Sequence, residues 1–418
     1  MKKHRLTAAA CAAVVVGALA GCSTDVSSGG GDASAATSLV ASAGAPEQTV
    51  IDMITADDPE LTVDVQTAPG TTYAQVVATQ LAGGTAADIV RAYPGDGSSL
   101  SIVQGANNGF FAPLDDLDFV SGLSDADASV LRDDDGNIVA VPVTTSAIGG
   151  VYNQTEMDAA GLSIPTTWSD LLDFCGDARD ADVVPFGLGL KDAWTSQFVS
   201  YALGATLLPA DIADVQASND APFSDTQWRD VIEKYAEMRE ADCFTDQPNG
   251  TTAANVSSQL ATGEALATIS LTTTVGSVAA EAPSDTELTF APIPASDDED
   301  ATKLSTGIGV VFALNAKAKN PDAAKKVLEY FATPEAQSTY AAEADMSPAL
   351  EVGADYAPDQ PTEVIQEFTA GESTAPWPDQ SWPNPNIQQA HFTQIQSLFS
   401  GSASVDDVLA ALDKAYTG

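Results

Sequence analysis

From about Ser38 to the C-terminus, short apolar runs alternate with amphipathic stretches. Leu61 to Val65 alternates apolar and polar residues, which predicts a strand with one buried face. A second strand is predicted from Ala87 to Tyr93, entered through the Gly83-Gly84 turn. A third runs from Ile138 to Val143, after the turn residues Asp135-Gly136-Asn137. The helices show in their first turns. Thr167-x-x-Asp170 is a capping pattern, and Trp168, Leu171, Leu172, Cys175 and Ala178 follow at helical spacing. Ser224 opens another helix, with Trp228, Val231, Ile232 and Tyr235 facing inward. Asn320-Pro321 supplies a cap and a first-turn proline ahead of Ala324, Val327, Leu328 and Phe331, and Ser404 opens a last helix carrying Val408, Leu412 and Ala415. Strands and helices interleave throughout, so the expected class is α/β. No internal repeat is visible.

The first residues follow a different pattern. Lys2, Lys3, His4 and Arg5 form a basic region, and Leu6 to Ala20 carries no charge. That run is too short to span a membrane comfortably and has the length of a signal-peptide core. It closes on Leu19-Ala20-Gly21-Cys22, which resembles the bacterial lipobox. The expectation is cleavage of residues 1–21 and a diacylglyceryl anchor on Cys22, on the outer face of the cell membrane. Ordinary cleavage would instead leave Cys22 as an exposed thiol, a liability outside the cell. Residues 22–37 are rich in Ser, Gly and Ala and read as a flexible tether. No second long apolar run follows, so the lipid is the expected membrane link.

Charge narrows the partners. There are 59 acidic against 16 basic residues, a net charge of −43, and −46 once the three bases of residues 1–21 are removed. Phosphates need a basic face, so nucleic acid is excluded as a partner. His391 is the only histidine beyond residue 21, which argues against histidine-rich metal sites and against a Ser-His-Asp nucleophile. No metal or cofactor is expected. Cys175 and Cys243 are the only cysteines of the body, and in an oxidising compartment an even pair points to a disulfide; the other reading is two buried thiols acting as small apolar residues.

Three constellations invite chemistry and do not hold it. Asp133-x-Asp135-Gly136 opens like a calcium loop, but Thr144 stands where the acidic twelfth ligand belongs, and a hairpin turn is the better account. Gly307-Ile308-Gly309 lacks the third glycine of a phosphate loop, since Phe312 stands there. It reads as a strand that something approaches closely. Carboxylate pairs of the kind glycosidases use arise everywhere by chance among so many acids.

The aromatics are few and more telling. Trp168 and Trp228 sit on apolar helix faces and read as core. Trp194 follows Asp192 at a strand end near a helix start. Trp377 and Trp382 lie in a loop with Asp379 and Asn384, where Pro376, Pro378 and Pro383 forbid a regular helix. Tyr93 ends a strand at Pro94-Gly95. Aromatic faces beside carboxylates and amides suit a sugar, whose C–H faces stack on rings while its hydroxyls bond to the polar groups. Tyr93, Asp192, Trp194, Trp377, Asp379, Trp382 and Asn384 are therefore the candidate ligand-binding residues, against the plainer reading of loop aromatics folded onto the core.

Several motifs in order resemble one family. Tyr152-Asn153-Gln154 through Ala160-Gly161-Leu162, then Pro165-Thr166-Thr167-Trp168, resembles the YN…aGl…P.TW signature of family 1 extracellular solute-binding proteins. Pro185 to Gly189 with Asp192-Ala193-Trp194, Thr262 to Ala267, and Asn320 to Ala341 continue the likeness over nearly the whole mature chain. These proteins serve ABC importers, chiefly for carbohydrates. The resemblance implies a type II periplasmic-binding-protein-like fold. Its two lobes are joined by hinge strands around an interlobe ligand cleft. Residues 38–146 with 309–345 would form one lobe and 147–308 with 346–418 the other. The chain would cross between them near Thr144–Gly149, Leu304–Gly309 and Met346–Pro348. Two departures stand out: Ile308 where an aromatic is frequent, and Thr272-Thr273-Thr274 in place of Gly-x-Trp. The implied function is carbohydrate capture by a monomer that docks on permease subunits, with no catalysis. A surface-anchored carbohydrate-active enzyme and a binding protein for a non-sugar solute remain alternatives.

Overall fold

The structure, a computed structural model, describes residues 36–42, 46–68, 72–217, 221–353 and 356–417. The expected signal peptide, Cys22 and nearly all of the tether lie outside the described residues. The last two tether residues, Ala36 and Thr37, already pair with Thr62 and Val63 as part of a strand.

Among the described residues ten strands form one mixed sheet: β1 (Ala36–Ser42), β2 (Thr62–Ala68), β3 (Ile89–Ala92), β4 (Ala140–Asn153), β5 (Val184–Gly187), β6 (Ala265–Leu271), β7 (Leu288–Ala291), β8 (Leu304–Leu314), β9 (Ser347–Pro348) and β10 (Thr374–Pro376). Their order is β2-β1-β3-β8-β4-β6-β5, with β7 and β9 also on β4 and β10 on β8. β1 runs parallel to both β2 and β3, and β5 runs parallel to β6. β8 is antiparallel to β3 and to β4.

β4 and β8 are the long strands, and each serves two cores. Val141 and Phe312 face one way, with Leu39 and Ile89, onto Val327, Leu328, Phe331 and Tyr340 of helices Pro321–Phe331 and Pro334–Ala344. Ala140 and Val311 face the other way, onto Tyr73, Val77 and Leu81 of helix Tyr73–Gly83. These two layers make the first lobe. Further along β4 the company changes. Ile148 and Tyr152 join Phe186 and Ile269 under helices Trp168–Asp180, Ser196–Leu207, Trp228–Glu240, Asn386–Phe399 and Val405–Tyr416. Ala147 and Val151 join Leu260, Phe290, Leu304 and Ile365 on the opposite face. These layers make the second lobe. Period-2 alternation puts successive residues of one strand into opposite layers.

Between the two sets of cores lie Thr144, Thr145 and Ser146 on β4. Thr144 and Ser146 are fully buried, and each is hydrogen-bonded. Thr144 Oγ1 accepts the Val310 N–H at 3.1 Å, and the Ser146 hydroxyl lies 2.8 Å from that of Thr272. The ladder with β8 shifts register here, and β9 pairs with the same two threonines. β8 and β9 are thus both bound to β4 where it passes from one set of cores to the other.

The structure lengthens the expected strand at Ile138–Val143 to Ala140–Asn153, because β4 is buried on both faces and shows no polar alternation where it crosses. The strand expected at Ala87–Tyr93 is shorter, Ile89–Ala92, with Tyr93 in a single bridge to Ser101. The helix expected from Ser224 begins at Trp228. A one-turn 3-10 helix, Phe223–Asp225, comes first, and extended backbone at Thr226 separates the two. Thr167, Asn320 and Ser404 all cap as predicted, each accepting a backbone N–H in the first turn. Asp133 Oδ1 accepts the N–H groups of Asp135 and Asn137, so this carboxylate holds a turn. Cys175 and Cys243 form a disulfide inside the second-lobe core, with Cα atoms 4.9 Å apart.

Candidate functional site

A cavity of about 410 Å³ opens where the lobes meet. Its first-lobe wall includes Arg91, Tyr93 and Ser98, its floor Ser146, Ile308 and Met346, and its second-lobe wall Trp194, Tyr201, Trp377 and Asp379. A larger depression of about 670 Å³ runs along helix Pro334–Ala344, but it is a more open trough that gathers no aromatic besides Tyr356.

On the first lobe, β3 carries Arg91 and delivers Tyr93 at its end, two residues on and so on the same face. The Tyr93 backbone bonds to Leu100 and Ile102, and its side chain is 38% exposed. The Arg91 side chain is 23% exposed, and its one ion-pair or hydrogen-bond partner among the described residues is Glu47, 3.8 Å away. Glu47 is buried and accepts the Tyr340 hydroxyl at 2.9 Å. Burial pushes its carboxyl upward, against the pull of Arg91 and these hydrogen bonds. Arg91 lines the cavity, and its guanidinium carries more N–H donors than the Glu47 contact uses.

On the second lobe, Trp194 stands in the one-turn 3-10 helix Ala193–Thr195, just before helix Ser196–Leu207. It is 47% exposed and meets Phe198 edge to face, with centroids 5.5 Å apart. The proline-rich loop forms a single 3-10 turn, Pro378–Ser381. Trp377 packs on Gly307 of β8, confirming that something approaches this strand closely: it is an indole. Gln380 Nε2 ties the turn to the Ile308 carbonyl at 2.9 Å. Asp379 Oδ2 accepts from Gln388 Nε2 at 3.0 Å, and the same amide lies 3.2 Å from Gln197 Oε1. Asp379 Oδ1 and Trp377 Nε1 are shielded from water; the indole N–H has no hydrogen-bond partner among the described residues, while the Tyr201 hydroxyl pulls on the Asp379 carboxyl. Burial pushes the Asp379 carboxyl up to about 6.

Of the seven residues expected at the site, Tyr93, Trp194, Trp377 and Asp379 line this cavity. The other three do not. Trp382 is fully buried among Tyr201, Phe223 and Trp228, at centroid distances of 5.9 Å from each. Its loop turns it inward, so the expectation of two displayed indoles holds only for Trp377. Asp192 Oδ2 accepts the N–H of Ala253, the first residue of helix Ala253–Ala261. Asn384 holds its own turn, donating to the Ala415 carbonyl and accepting from the Asn386 N–H. Arg91, Gln197, Tyr201 and Gln388 were missed. Arg91 had a signal: it is the one base between Arg5 and Arg132, set in an apolar strand of an acidic chain. The glutamines and Tyr201 had none, because polar groups on helices look alike until their neighbours are known.

The model of the bacterial extracellular solute-binding protein family matches residues 31–338. The chain belongs to this family. No functionally curated protein matches this solute-binding protein in sequence. Solved structures share its two-lobed fold. A chitin oligosaccharide binding protein superposes with a TM-score of 0.77 at 17% identity, over 91% of this chain and 98% of its own. RafE in complex with raffinose does so at 0.74 and 20%, over 91% and 99%. A probable secreted solute-binding lipoprotein from Streptomyces coelicolor does so at 0.74 and 21%, over 93% and 100%.

Proposed function

We propose that this solute-binding protein captures a carbohydrate in the cleft between its lobes and delivers it to the permease of an ABC importer. The observation that carries the reading is the convergence of Tyr93 from one lobe with Trp194 and Trp377 from the other on one cavity. Rings on opposite walls offer stacking faces, and Arg91, Gln197, Asp379 and Gln388 supply donors and acceptors between them. This is the mixture a polyol needs: apolar C–H faces covered and hydroxyls paired. The structurally similar chitin oligosaccharide binding protein and raffinose-bound RafE support it.

In this reading residues 38–146 and 309–345 move against 147–308 and 346–418, with the hydrogen-bonded crossing segments as hinge. Hinge closure around a ligand is the known behaviour of periplasmic binding proteins. The ligand is then hidden from water, and the closed form docks as a monomer. A diacylglyceryl group on Cys22 and a tether that ends where β1 begins keep the body near the permease. No covalent step is part of the proposal.

A thermal-shift screen over mono- and oligosaccharides tests it, because a ligand that binds the native form raises the melting temperature. Chromatography of the same incubations separates binding from turnover: an intact sugar supports a binding protein, and a cleaved one supports the enzyme. A Cys22→Ala variant that stays with the membrane would remove the lipid anchor from the reading.

A further inference from the structure

Beyond Trp194 lies a second cavity of about 250 Å³ that shares Trp194, Phe198 and Leu271 with the main one. The half-exposed indole is therefore a wall common to both. The second cavity sits at the carboxyl ends of the parallel pair β5 and β6, against Gly187 to Gly189 and Ile269 to Leu271, where open α/β sheets commonly take ligands. The glycines bring helix Ala253–Ala261 close: a Cβ at Gly189 would lie 2.7 Å from the Thr252 carbonyl carbon, and one at Gly187 2.7 Å from a Val256 methyl.

The chemistry of this cavity differs from that of the first. Among the described residues no charged side chain lines it. Apart from the Trp194 indole N–H its polar side chains are hydroxyls, and most of their protons are committed within the protein. Thr195 donates to the Gly189 carbonyl, Thr268 to Gly187, Ser257 to Ala253 and Ser277 to Thr273. Ser270 and Thr274 bond to each other at 2.8 Å. What these groups chiefly offer is acceptor lone pairs, with the Thr273 hydroxyl and one of the Ser270–Thr274 pair left able to donate. A group that fits is neutral, rich in O–H donors and small enough to follow an indole face.

Resting on the carbohydrate reading, we propose that the ligand is an oligosaccharide, one sugar unit lying in the main cavity and the next passing Trp194 into this hydroxyl-lined compartment. The protein then selects for length, and a monosaccharide fills half of its site.

Isothermal titration tests this with two ladders: galactose, melibiose, raffinose and stachyose, and N-acetylglucosamine to chitotetraose. Ala254 and Ser277 line the compartment at exposed positions, so Ala254→Trp and Ser277→Trp each fill it from the solvent side. Wild type is expected to bind a longer member of one ladder at least roughly tenfold tighter than the monosaccharide, the step that 1.4 kcal/mol provides. Both variants are expected to keep the affinity for the shortest ligand and to lose that gain. Affinity that does not rise with length, or a rise that survives in both variants, overturns the two-compartment inference and leaves the carbohydrate reading standing. No binding by wild type to any member of either ladder overturns both.

Discussion

Trp377 rests on Gly307, where a Cβ would come within 2.6 Å of the indole. The glycine is thus the seat of a cleft aromatic. Its backbone does not require left-handed geometry, so alanine is tolerated there except for the ring. Gly307→Ala should keep the native circular dichroism spectrum, lose about 1–3 kcal/mol of stability, the usual cost of overpacking, and weaken ligand binding. Unchanged affinity in calorimetry would show that the seating of Trp377 does not matter to the ligand.

The two tryptophans of the proline-rich loop should separate cleanly. Trp382→Ala removes a fully buried indole and is expected to cost about 3–5 kcal/mol of stability. Trp377→Ala should leave the melting temperature close to wild type and reduce affinity by roughly 1–3 kcal/mol, taking base-stacking losses as a guide. Denaturant titration and calorimetry on both variants check the split. The assignment is wrong if Trp382→Ala is the one that spares stability.

Asp379 gives a pH dependence with a definite sign. Burial raises its folded-state value to about 6, above the ordinary 3.8. Between those two values the folded state holds the proton more tightly than the unfolded chain, so this group's contribution falls as pH rises through the window. At neutral pH the ionised carboxylate is destabilising. Asp379→Asn should therefore raise the melting temperature at pH 7, flatten its change between about pH 4 and 6, and weaken ligand binding. Parallel melting curves for wild type and variant across that range would show it. A variant less stable than wild type at pH 7 contradicts the assignment.

The Cys175–Cys243 disulfide closes a loop of 68 residues within the second lobe. Chain entropy assigns such a loop about 4 kcal/mol. Neither cysteine lies in the crossing segments, so reduction should lower the melting temperature while the protein that remains folded still binds ligand. Loss of binding before loss of structure would place the bond in the closure mechanism instead.

Much of this was written in the chain. Thr167, Asn320 and Ser404 cap helices because a side-chain oxygen three residues before an N–H is a local matter. The pairing of Cys175 and Cys243 followed from composition and compartment. Tyr93 and Trp194 were legible as aromatics at strand and helix ends, and so was the close approach at Gly307. Tertiary structure decided the rest. Thr144, Thr145 and Ser146 look like the polar end of a strand, yet they are its middle, because β8, β9 and Thr272 satisfy them where the lobes meet. Prolines forbid a helix around Trp377 and Trp382, but they do not say which indole turns inward. That depended on Tyr201, Phe223 and Trp228, far away in sequence, forming the pocket that holds Trp382. Asp192 carries the same carboxylate as Asp379 and Asn384 the related amide, and both were equally eligible for the site. A helix N-terminus and a neighbouring turn claimed them first, because a nearby backbone N–H satisfies a side-chain oxygen as well as a ligand does.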